Sequence, residues 1–406
     1  MTDPQELSAI TIMRTMGTAL YVANPNLMAL FAFRQFCMVL RDGHSPNSPS
    51  ILASFGIILC GAVGDYDLAY RIGSLALRLQ ERFPETRRQC RVLWVMNGLI
   101  RHWKEHLKET MEPLKASFEL GVAHGDFEFA ASSCHVYCQH ELYLGLNLAS
   151  VEADLAHYSQ QLLQIRQDIQ RLWNSLFHQA VLNLLGRSQD PTRLIGPSYD
   201  LNKHIPLQLA QNDRTGICAA HFLSCMLNCL FGDFDRAAYH GEQGMEYLNA
   251  TAGLFGGARF VFYDTLAAIQ IAPKLERARK KKTWKHIHQN LRKMKKFAAS
   301  APANHLHALC LLQAELYRVQ GKRQKAMDSF ERATSLARAQ GFPNDEALAL
   351  EQSAVFYLSQ GKRAIAESLL LSAYRAYRRW GAQAKLPHLA QRYPWIAFDP
   401  SPQPNS

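Results

Sequence analysis

The stretch from residue 315 to 337, ELYRVQGKRQKAMDSFERATSLA, has a second copy at residues 355–377, VFYLSQGKRAIAESLLLSAYRAY. In both copies a tyrosine is followed, at the same distances, by a glycine, an alanine, a large apolar residue and a second alanine. The matching positions are Tyr317, Gly321, Ala326, Phe330 and Ala333 in the first copy and Tyr357, Gly361, Ala366, Leu370 and Ala373 in the second. This spacing predicts a helix–turn–helix repeat.

Each residue type in the pattern has a physical role. The glycine ends the first helix because it alone takes a left-handed cap without a side-chain clash. The alanines let two helix backbones approach, and the large residue fills the space beside them. The same glycine with a following alanine recurs upstream, as Gly64 and Ala69, Gly125 and Ala130, and Gly232 and Ala237. We therefore predict an all-α fold, an α-solenoid of tetratricopeptide-like repeats with about eight helix pairs.

Turn residues and apolar periodicity divide the chain into many short helices. The predicted helices cover residues 25–41, 50–62, 66–83, 88–111, 113–123, 127–144, 149–172, 174–186, 205–211, 214–231, 234–250, 259–271, 284–299, 304–320, 323–340, 344–359, 363–380 and 383–391. Two longer loops are predicted, at Arg187–Asp200 and Thr251–Ala258. We expect one repeat domain over residues 1–396, with candidate subdivisions near 187–203 or 251–258, and a disordered tail at 397–406.

Composition indicates a soluble protein of a reducing compartment. The chain has 406 residues, 48% of them hydrophobic, and nine cysteines, an odd number that argues against a disulfide framework. The polar start, Met1–Leu7, resembles neither a signal peptide nor a transit peptide. The uncharged run Ser50–Gly64 is too short to span a bilayer, and Gly216–Gly232 contains His221 and Asn228. We expect a cytoplasmic protein with no membrane span.

Several motifs together resemble one known family. They are Asn24-Pro25-Asn26, Gly43-His44-Ser45-Pro46, Gly56-Ile57-Ile58-Leu59, Gly64-Asp65-Tyr66, Gly125-Asp126-Phe127-Glu128-Phe129-Ala130, Leu184-Leu185-Gly186 with Asp190-Pro191, Ala301-Pro302 with Asn304, and Tyr377, Trp380-Gly381-Ala382, Ala384-Lys385 and Arg392-Tyr393-Pro394. As a set they resemble the helical region of large multi-domain sensor kinases, best known from cyanobacteria. That family joins a serine/threonine kinase, a signalling ATPase, this helical region, a GAF domain and a histidine kinase.

The resemblance covers nearly all 406 residues but only the middle of that assembly. The chain has no Gly-x4-Gly-Lys-Ser/Thr phosphate loop, no His-Arg-Asp loop, no Asp-Phe-Gly metal motif and no phospho-acceptor histidine box. The resemblance therefore implies a helical module separated from its catalytic domains, either a split gene product or a fragment. We expect no enzyme activity and no cofactor, and kinase, ATPase or sensor domains as protein partners.

The net charge of +11 comes from one segment. Residues 277–296 hold ten basic residues and no acid, which leaves 35 basic against 34 acidic residues elsewhere. The ten are Arg277, Arg279, Lys280, Lys281, Lys282, Lys285, Arg292, Lys293, Lys295 and Lys296. Eight of them, all but Arg277 and Lys295, are our candidates for binding an acidic partner.

Three interpretations of this tract are open: a surface for an acidic protein or a membrane, a nucleic-acid site, and a solvated helix face. Trp284 could stack on a base. However, Trp284, Ile287, Leu291, Met294 and Phe297 form one apolar stripe on a helix, which places Trp284 in the core. Nucleic acid is therefore the less favoured partner.

The cysteines and histidines offer weaker hypotheses. Cys134 and Cys138 lie one helical turn apart near His135 and His140, and Cys218, Cys225 and Cys229 share a helix face. Tetrahedral zinc needs four converging ligands, and no second ligand pair has the right spacing. The histidines His102, His106, His124, His221 and His240 are scattered over several predicted helices. We therefore expect no metal site and no catalytic residues.

Overall fold

The computed structural model describes residues 4–16, 25–83 and 89–398. Within these ranges the chain forms nineteen α-helices and no β-strand. The helices are α1 Pro4–Thr15, α2 Pro25–Asp42, α3 Ser48–Ile58, α4 Tyr66–Arg82, α5 Gln89–Val95, α6 Met111–His124, α7 Phe127–Leu144, α8 Leu148–Gln164, α9 Asp168–Leu184, α10 Leu201–Ala210, α11 Arg214–Phe231, α12 Phe234–Met245, α13 Phe255–Ile271, α14 Arg277–Ser300, α15 Pro302–Val319, α16 Arg323–Ala339, α17 Pro343–Ser359, α18 Arg363–Trp380 and α19 Lys385–Arg392. The predicted all-α class is confirmed.

The helices pack as hairpins of neighbours in sequence. Contacts join the helices of five hairpins, α3–α4, α5–α6, α11–α12, α15–α16 and α17–α18. From α14 to α18, each helix also contacts the next one in sequence. This is the packing of an α-solenoid, in which each hairpin is covered by the next. No helix among the described residues is both long enough and apolar enough to cross a membrane.

The residues of the repeat pattern occupy the predicted positions. Gly321 and Gly361 have φ angles of 71° and 73°, so each is a left-handed residue at the turn. Ala326 and Ala366 are fully buried, and Phe330 is 1% exposed between the paired helices. The upstream alanines that follow a turn glycine are fully buried as well: Ala69, Ala130 and Ala237.

The chain divides into two compact units. Unit 1 contains Met1–His140, Leu162–Arg171 and Ala252–Gly257, and unit 2 contains Glu141–Gln161, Leu172–Thr251 and Ala258–Ser406. The domain prediction, residues 1–396 with boundaries near 187–203 or 251–258, stays a prediction. Of the predicted tail at 397–406, residues 399–406 lie outside the described residues, as do Met1–Asp3, and Phe398 stacks on Tyr374 with ring centroids 4.8 Å apart.

Two predicted helices are interrupted in the structure. The helix predicted over 88–111 ends with a π-turn, Met96–Ile100, and a 3₁₀ turn, Arg101–Trp103. The chain then becomes extended at His106, whose side chain accepts a hydrogen bond from the backbone N–H of Lys108. The helix predicted over 149–172 breaks at Arg166, which takes a φ of 56° without being glycine. The next helix starts at Asp168, not at residue 174.

Other boundaries also differ. The helix predicted over 205–211 begins at Leu201, because Asp200 caps it by accepting from the N–H of Asn202. The predicted loop at Thr251–Ala258 is shorter, since α13 begins at Phe255. The helix predicted over 234–250 ends at Met245, and a 3₁₀ turn follows at Leu248–Thr251. The helix predicted over 284–299 begins at Arg277, so the whole basic tract is helical.

Unit 2 is held together by charges buried around α17. The guanidinium of Arg259 on α13 donates to both carboxylate oxygens of Asp345, each at 2.6 Å. The ring Nε2 of His307 lies 2.7 Å from the same carboxylate, and the three side chains are no more than 3% exposed. Burial alone would raise the pKa of Asp345, but Arg259 and His307 outweigh it and hold that pKa below its usual range.

A second buried pair joins α19 to the same helix. The Nζ of Lys385 lies 2.9 Å from the carboxylate of Glu351 and also donates to the carbonyl of Leu230. Tyr377 donates its hydroxyl to Glu351 at 2.7 Å. Burial lowers the pKa of Lys385, and Glu351 opposes that effect. Because each group is fully buried, each depends on its partner to remain charged.

We predict that Arg259→Met destabilises the protein by about 3–5 kcal/mol, because Asp345 would keep a buried charge without its main partner. The double variant Arg259→Met/Asp345→Leu should be clearly more stable than the single variant. Urea unfolding followed by circular dichroism measures both. Equal destabilisation in the two variants would contradict the assignment, as would a loss below about 1 kcal/mol in the single one.

Candidate interaction surface

Helix α14 is amphipathic, and the charged side chains on its outer face are all basic. Its inner face is set by Ile287, Leu291, Met294 and Ala298, which repeat at helical spacing and are 0%, 7%, 1% and 5% exposed. This face packs against α15. Trp284 and Phe297, which the sequence placed on the same stripe, are half-buried at its edges.

Four of the eight candidate binding residues, Lys281, Lys285, Arg292 and Lys296, share one exposed sector of α14 with Arg277 and Lys295. Successive residues of an α-helix are rotated by about 100°, which places six cations within a sector of about 100° that extends about 28 Å along the axis. We call this set the basic stripe: Arg277, Lys281, Lys285, Arg292, Lys295 and Lys296. All six are exposed, and Arg279, Lys282 and Lys293 are exposed as well but lie outside this sector.

The predicted site residues Arg279 and Lys280 have contacts inside the protein. Arg279 forms an exposed ion pair with Glu242 of α12, with an N–O distance of 3.3 Å. Lys280 is half-buried and donates to the backbone carbonyl of Pro273 at 3.0 Å. Arg279 and Lys280 therefore help to hold the first turn of α14 against neighbouring parts of the protein. The basic stripe starts beside them.

A buried carboxylate anchors the side of α14. Asp264 of α13 is 3% exposed and accepts hydrogen bonds from His286 at 2.6 Å and from Asn290 at 2.8 Å. The hydrogen bond to Asp264 raises the pKa of His286, and the charge of Asp264 acts in the same direction against burial. A protonated His286 adds one more positive charge to this helix.

The charge pattern of α14 works against the helix itself. Its first turn contains no acid and several cations, which face the positive end of the helix dipole. Like charges also meet four residues apart, as in Arg277 with Lys281, Lys281 with Lys285, and Arg292 with Lys296. Each such pair costs about 0.2–0.5 kcal/mol in an isolated helix. Helix stability does not explain the basic stripe.

The indole of Trp284 is not available as a stacking platform. It is half-buried, and its ring centroid lies 6.1 Å from that of His288. The ring Nδ1 of the exposed His288 is 2.6 Å from the carbonyl of Trp284. No other aromatic side chain belongs to the exposed half of α14. The structure brings phosphate-type contacts together here, but not base-stacking contacts.

The cysteines considered as ligands are core residues. Cys134, Cys138, Cys218, Cys225 and Cys229 are all buried. Burial raises the pKa of the Cys218 thiol to about 12, so it stays protonated at neutral pH. Within the described parts of the chain, no three His, Cys, Asp or Glu side chains are grouped so as to hold a metal ion.

The candidate histidines also have structural contacts. In unit 1 the ring Nε2 of His102 lies 3.0 Å from the carbonyl of Gly253, which also accepts from the indole N–H of Trp103 at 3.2 Å. In unit 2 the Nδ1 atoms of His221 and His240 are 3.1 Å apart. Burial lowers the pKa of His102 to about 3 and that of His221 to about 4. The His124 ring contacts the carbonyl of Leu120 in its own helix.

The buried ion pairs of unit 2 were not predicted from the sequence, although α13 contains one signal for them. Arg259 and Asp264 are the two charged residues in the otherwise apolar α13. A lone charge inside an apolar helix needs a buried partner. The partners, Asp345 and His286, lie 86 and 22 residues away in sequence, so their identity required the fold.

The buried histidines predict a loss of stability in acid. His102 is fully buried with a folded pKa of about 3, while an unfolded histidine has a pKa of about 6.5. Its contribution is therefore present above about pH 6.5 and is lost as the pH falls from there toward about 3. Between pH 7.5 and 5.5 we expect His102→Gln to reduce the pH-dependent loss by about 1.4 kcal/mol.

Thermal and urea unfolding of both forms across this pH range measure the effect. Trp103→Phe is the matched control, because it removes the other donor to Gly253 without removing a titrating group. It should lower stability but keep the pH dependence of the wild type. A His102→Gln variant with an unchanged pH dependence would show that His102 is charged or solvated in the folded protein.

Comparisons with known proteins give one partial similarity to a signalling protein. No family model matches it. It is similar to hybrid signal transduction histidine kinase G of Dictyostelium discoideum, with 27% identity over 191 residues. The match covers 45% of this chain but 6% of that protein, so the chain corresponds to a small part of the relative.

One solved structure is matched over 94% of this chain and 97% of its own length, with 14% identity and a TM-score of 0.20. It is described as a circular tandem repeat protein with novel repeat topology and enhanced subunit contact surfaces. A TM-score this low does not show a shared fold, and the solenoid assignment comes from the helix pairs of this chain. The similarity to the hybrid histidine kinase is thus partial and distant.

Proposed function

We propose that this chain is a non-catalytic interaction and coupling module of a signal-transduction system that contains a histidine kinase. The observation that supports it best is the similarity to a hybrid histidine kinase in a chain built of helical hairpins. Helical repeats present extended surfaces along which a partner segment or a neighbouring domain can lie. The tetratricopeptide-like character of the repeats and a cytoplasmic location belong to this proposal.

The absence of catalysis is part of the same proposal. The sequence lacks the phosphate loop, the kinase loops and the histidine box that ATP-dependent signalling chemistry uses. Among the thiols and imidazoles considered as candidates, Cys218 and His102 are buried, and burial shifts the pKa of each toward its neutral form. In this proposal the partner proteins carry out catalysis, and the helical hairpins provide the surface that positions them.

The test is affinity capture from the native lysate, with captured polypeptides identified by mass spectrometry. We expect the wild-type chain to capture a histidine kinase, an ATPase or a sensor-domain protein. The variant with Lys280, Lys281, Lys282 and Lys285 changed to Glu should capture the same polypeptides if the hairpin surfaces make the contact. Capture of none of these classes, or ATP hydrolysis by the purified chain above background, would contradict the proposal.

A second function is supported by the basic stripe: binding of an acidic protein segment by α14. Six cations share one outward sector, no acid lies in the helix, and the arrangement costs helix stability. Such a pattern is best explained by an external anion that neutralises the repulsion. A peptide rich in Glu or Asp fits better than nucleic acid, because Trp284 is half-buried and the exposed aromatic ring of α14 is His288, which is bonded to the carbonyl of Trp284.

We predict that Lys281→Glu/Lys285→Glu/Arg292→Glu weakens binding of a fluorescent oligoglutamate peptide at least about tenfold, because like charges would face the ligand. Fluorescence anisotropy measures the affinity, which should also fall between about 50 and 200 mM salt. The control Arg323→Glu/Lys325→Glu/Arg332→Glu makes the same charge change on exposed residues of α16 and should bind like the wild type.

Equal weakening by both triple variants would show an effect of net charge and would remove the assignment to α14. A labelled single-stranded oligonucleotide is measured in parallel. If it binds more tightly than the peptide, and the α14 variant loses that binding, the stripe is a nucleic-acid site and the acidic-peptide assignment is wrong.

A further inference from the structure

Asp264 of α13 lies at a junction of three helices. Its buried Oδ2 atom accepts hydrogen bonds from His286 and Asn290, which are both on α14. Its Oδ1 atom lies against Gly241 of α12, where any side chain would collide with it. One buried carboxylate of α13 therefore holds the side of α14 and is covered by α12.

The cation that balances Asp264 is of a different kind from those at other buried carboxylates of unit 2. Three of those carboxylates pair with an arginine: Glu315 with Arg318, Asp345 with Arg259, and Glu346 with Arg338. Arginine stays charged in proteins, whereas histidine is the side chain whose charge changes near neutral pH. The positive charge beside Asp264 belongs to His286, so a modest rise in pH can remove it.

Charged and titratable groups from several helices surround this pair. Asp264 forms a hydrogen bond with His286, Glu242 of α12 also attracts the positive charge of the imidazole, and Lys293 of α14 repels it. The hydrogen bond to Asp264 has the largest effect and raises the pKa of His286 against the effect of burial. Cys225 of α11 interacts with the charge of Asp264 as well, but burial raises the pKa of its thiol, so Cys225 stays neutral.

The pair loses its charge balance as the pH rises. A group whose pKa is raised by an interaction stabilises that arrangement below the pKa of its released form, which for histidine is about 6.5. The contribution is lost as the pH rises through the higher pKa of the bonded His286. A neutral imidazole can still donate a hydrogen bond. However, Asp264 is then a buried charge that faces two neutral donors, which is unfavourable.

The first ten residues of α14, Arg277–His286, are held by polar contacts. None of these ten residues is buried, and the buried residues of the helix begin at Ile287. Their first turn contains cations and no acid, which opposes the helix dipole. The ion pair between Arg279 and Glu242 is exposed on both sides, and exposed pairs contribute little. The buried contact at Asp264 thus lies where the firmly packed part of α14 begins.

We propose that His286 and Asp264 form a pH-sensitive latch. The latch holds Arg277–His286 on α12 and α13 in mildly acidic conditions and lets this segment loosen as the pH becomes mildly alkaline. Three of the six cations of the basic stripe lie on this segment: Arg277, Lys281 and Lys285. Opening changes how half of the stripe is presented, whether or not an acidic partner binds there. The rest of α14 stays packed on α15.

Hydrogen exchange of the full chain, measured by mass spectrometry at about pH 6, 7 and 8.5, tests the latch. Each measured rate is divided by the intrinsic exchange rate at that pH. We expect the protection of peptides from Arg277–His286 to fall at least about threefold between pH 6 and 8.5, since one unit of pKa shift corresponds to a tenfold change. Peptides from α18 are the internal control and should keep their protection.

Three variants separate the latch from other effects of pH. His286→Gln keeps a hydrogen-bond donor but does not titrate, so its segment should be loose at every pH. Asp264→Asn removes the buried charge at nearly constant size, so its protection should not depend on pH. The matched control is His288→Gln, which changes an exposed histidine of the same helix that contacts the carbonyl of Trp284 and should keep the wild-type pH dependence. Circular dichroism confirms that each variant is folded.

Equal protection of the wild-type segment at both ends of the pH range overturns the proposal. A pH dependence that survives in His286→Gln or Asp264→Asn also overturns it, because another group would then be responsible. NMR titration of the His286 ring, assigned by its absence in His286→Gln, gives an independent check. Its midpoint should coincide with the loss of protection, and a midpoint at or below about 6.5 contradicts the latch.

Discussion

The structure of unit 2 depends on carboxylates that are buried along one helix. Asp345, Glu346 and Glu351 of α17 are each less than 5% exposed, and their cationic partners come from four other helices: Arg259 of α13, Arg338 of α16, Arg379 of α18 and Lys385 of α19. A buried charge tolerates no displacement of its partner, whereas apolar contacts between helices can slide. Only two of these pairs are buried on both sides, Asp345 with Arg259 and Glu351 with Lys385, and they fix α13 and α19 relative to α17, whereas Arg338 and Arg379 are exposed.

This arrangement assigns different tasks to the two kinds of helix contact in the molecule. Hairpins such as α15–α16 use small residues and a large apolar one, a solution that any pair of neighbouring helices can adopt. Contacts between helices far apart in sequence, such as α13 with α17, use charge pairs with bidentate geometry. Helices that are far apart in sequence are not paired by their connection along the chain, so their contacts need side chains that fit only one partner. We infer that the hairpins provide most of the stability and the ion pairs provide uniqueness.

Features of the fold that depend on residues close together in sequence could be predicted from the sequence, and features that depend on distant residues could not. Turn glycines and the alanines that follow them act within one hairpin, so the all-α repeat fold was predictable from Gly321, Ala326 and their copies. The break at Arg166 was not, because a non-glycine residue takes the left-handed conformation there. The basic tract of the candidate site was evident in composition. Its division into an outward stripe and anchored residues such as Lys280 required the neighbours of α14.

The hydrogen bonds to Gly253 have a consequence for how the protein is made. His102 and Trp103 of unit 1 donate to a carbonyl about 150 residues later in the chain, and the segment Ala252–Gly257 belongs to unit 1 although unit 2 residues precede and follow it. On the ribosome, the first 140 residues emerge long before this segment does. Unit 1 must then wait, incomplete, while α8 to α12 are synthesised, and such late closure by distant contacts is slow. A gene truncated after His140 would encode helices whose buried imidazole and indole have lost their acceptor.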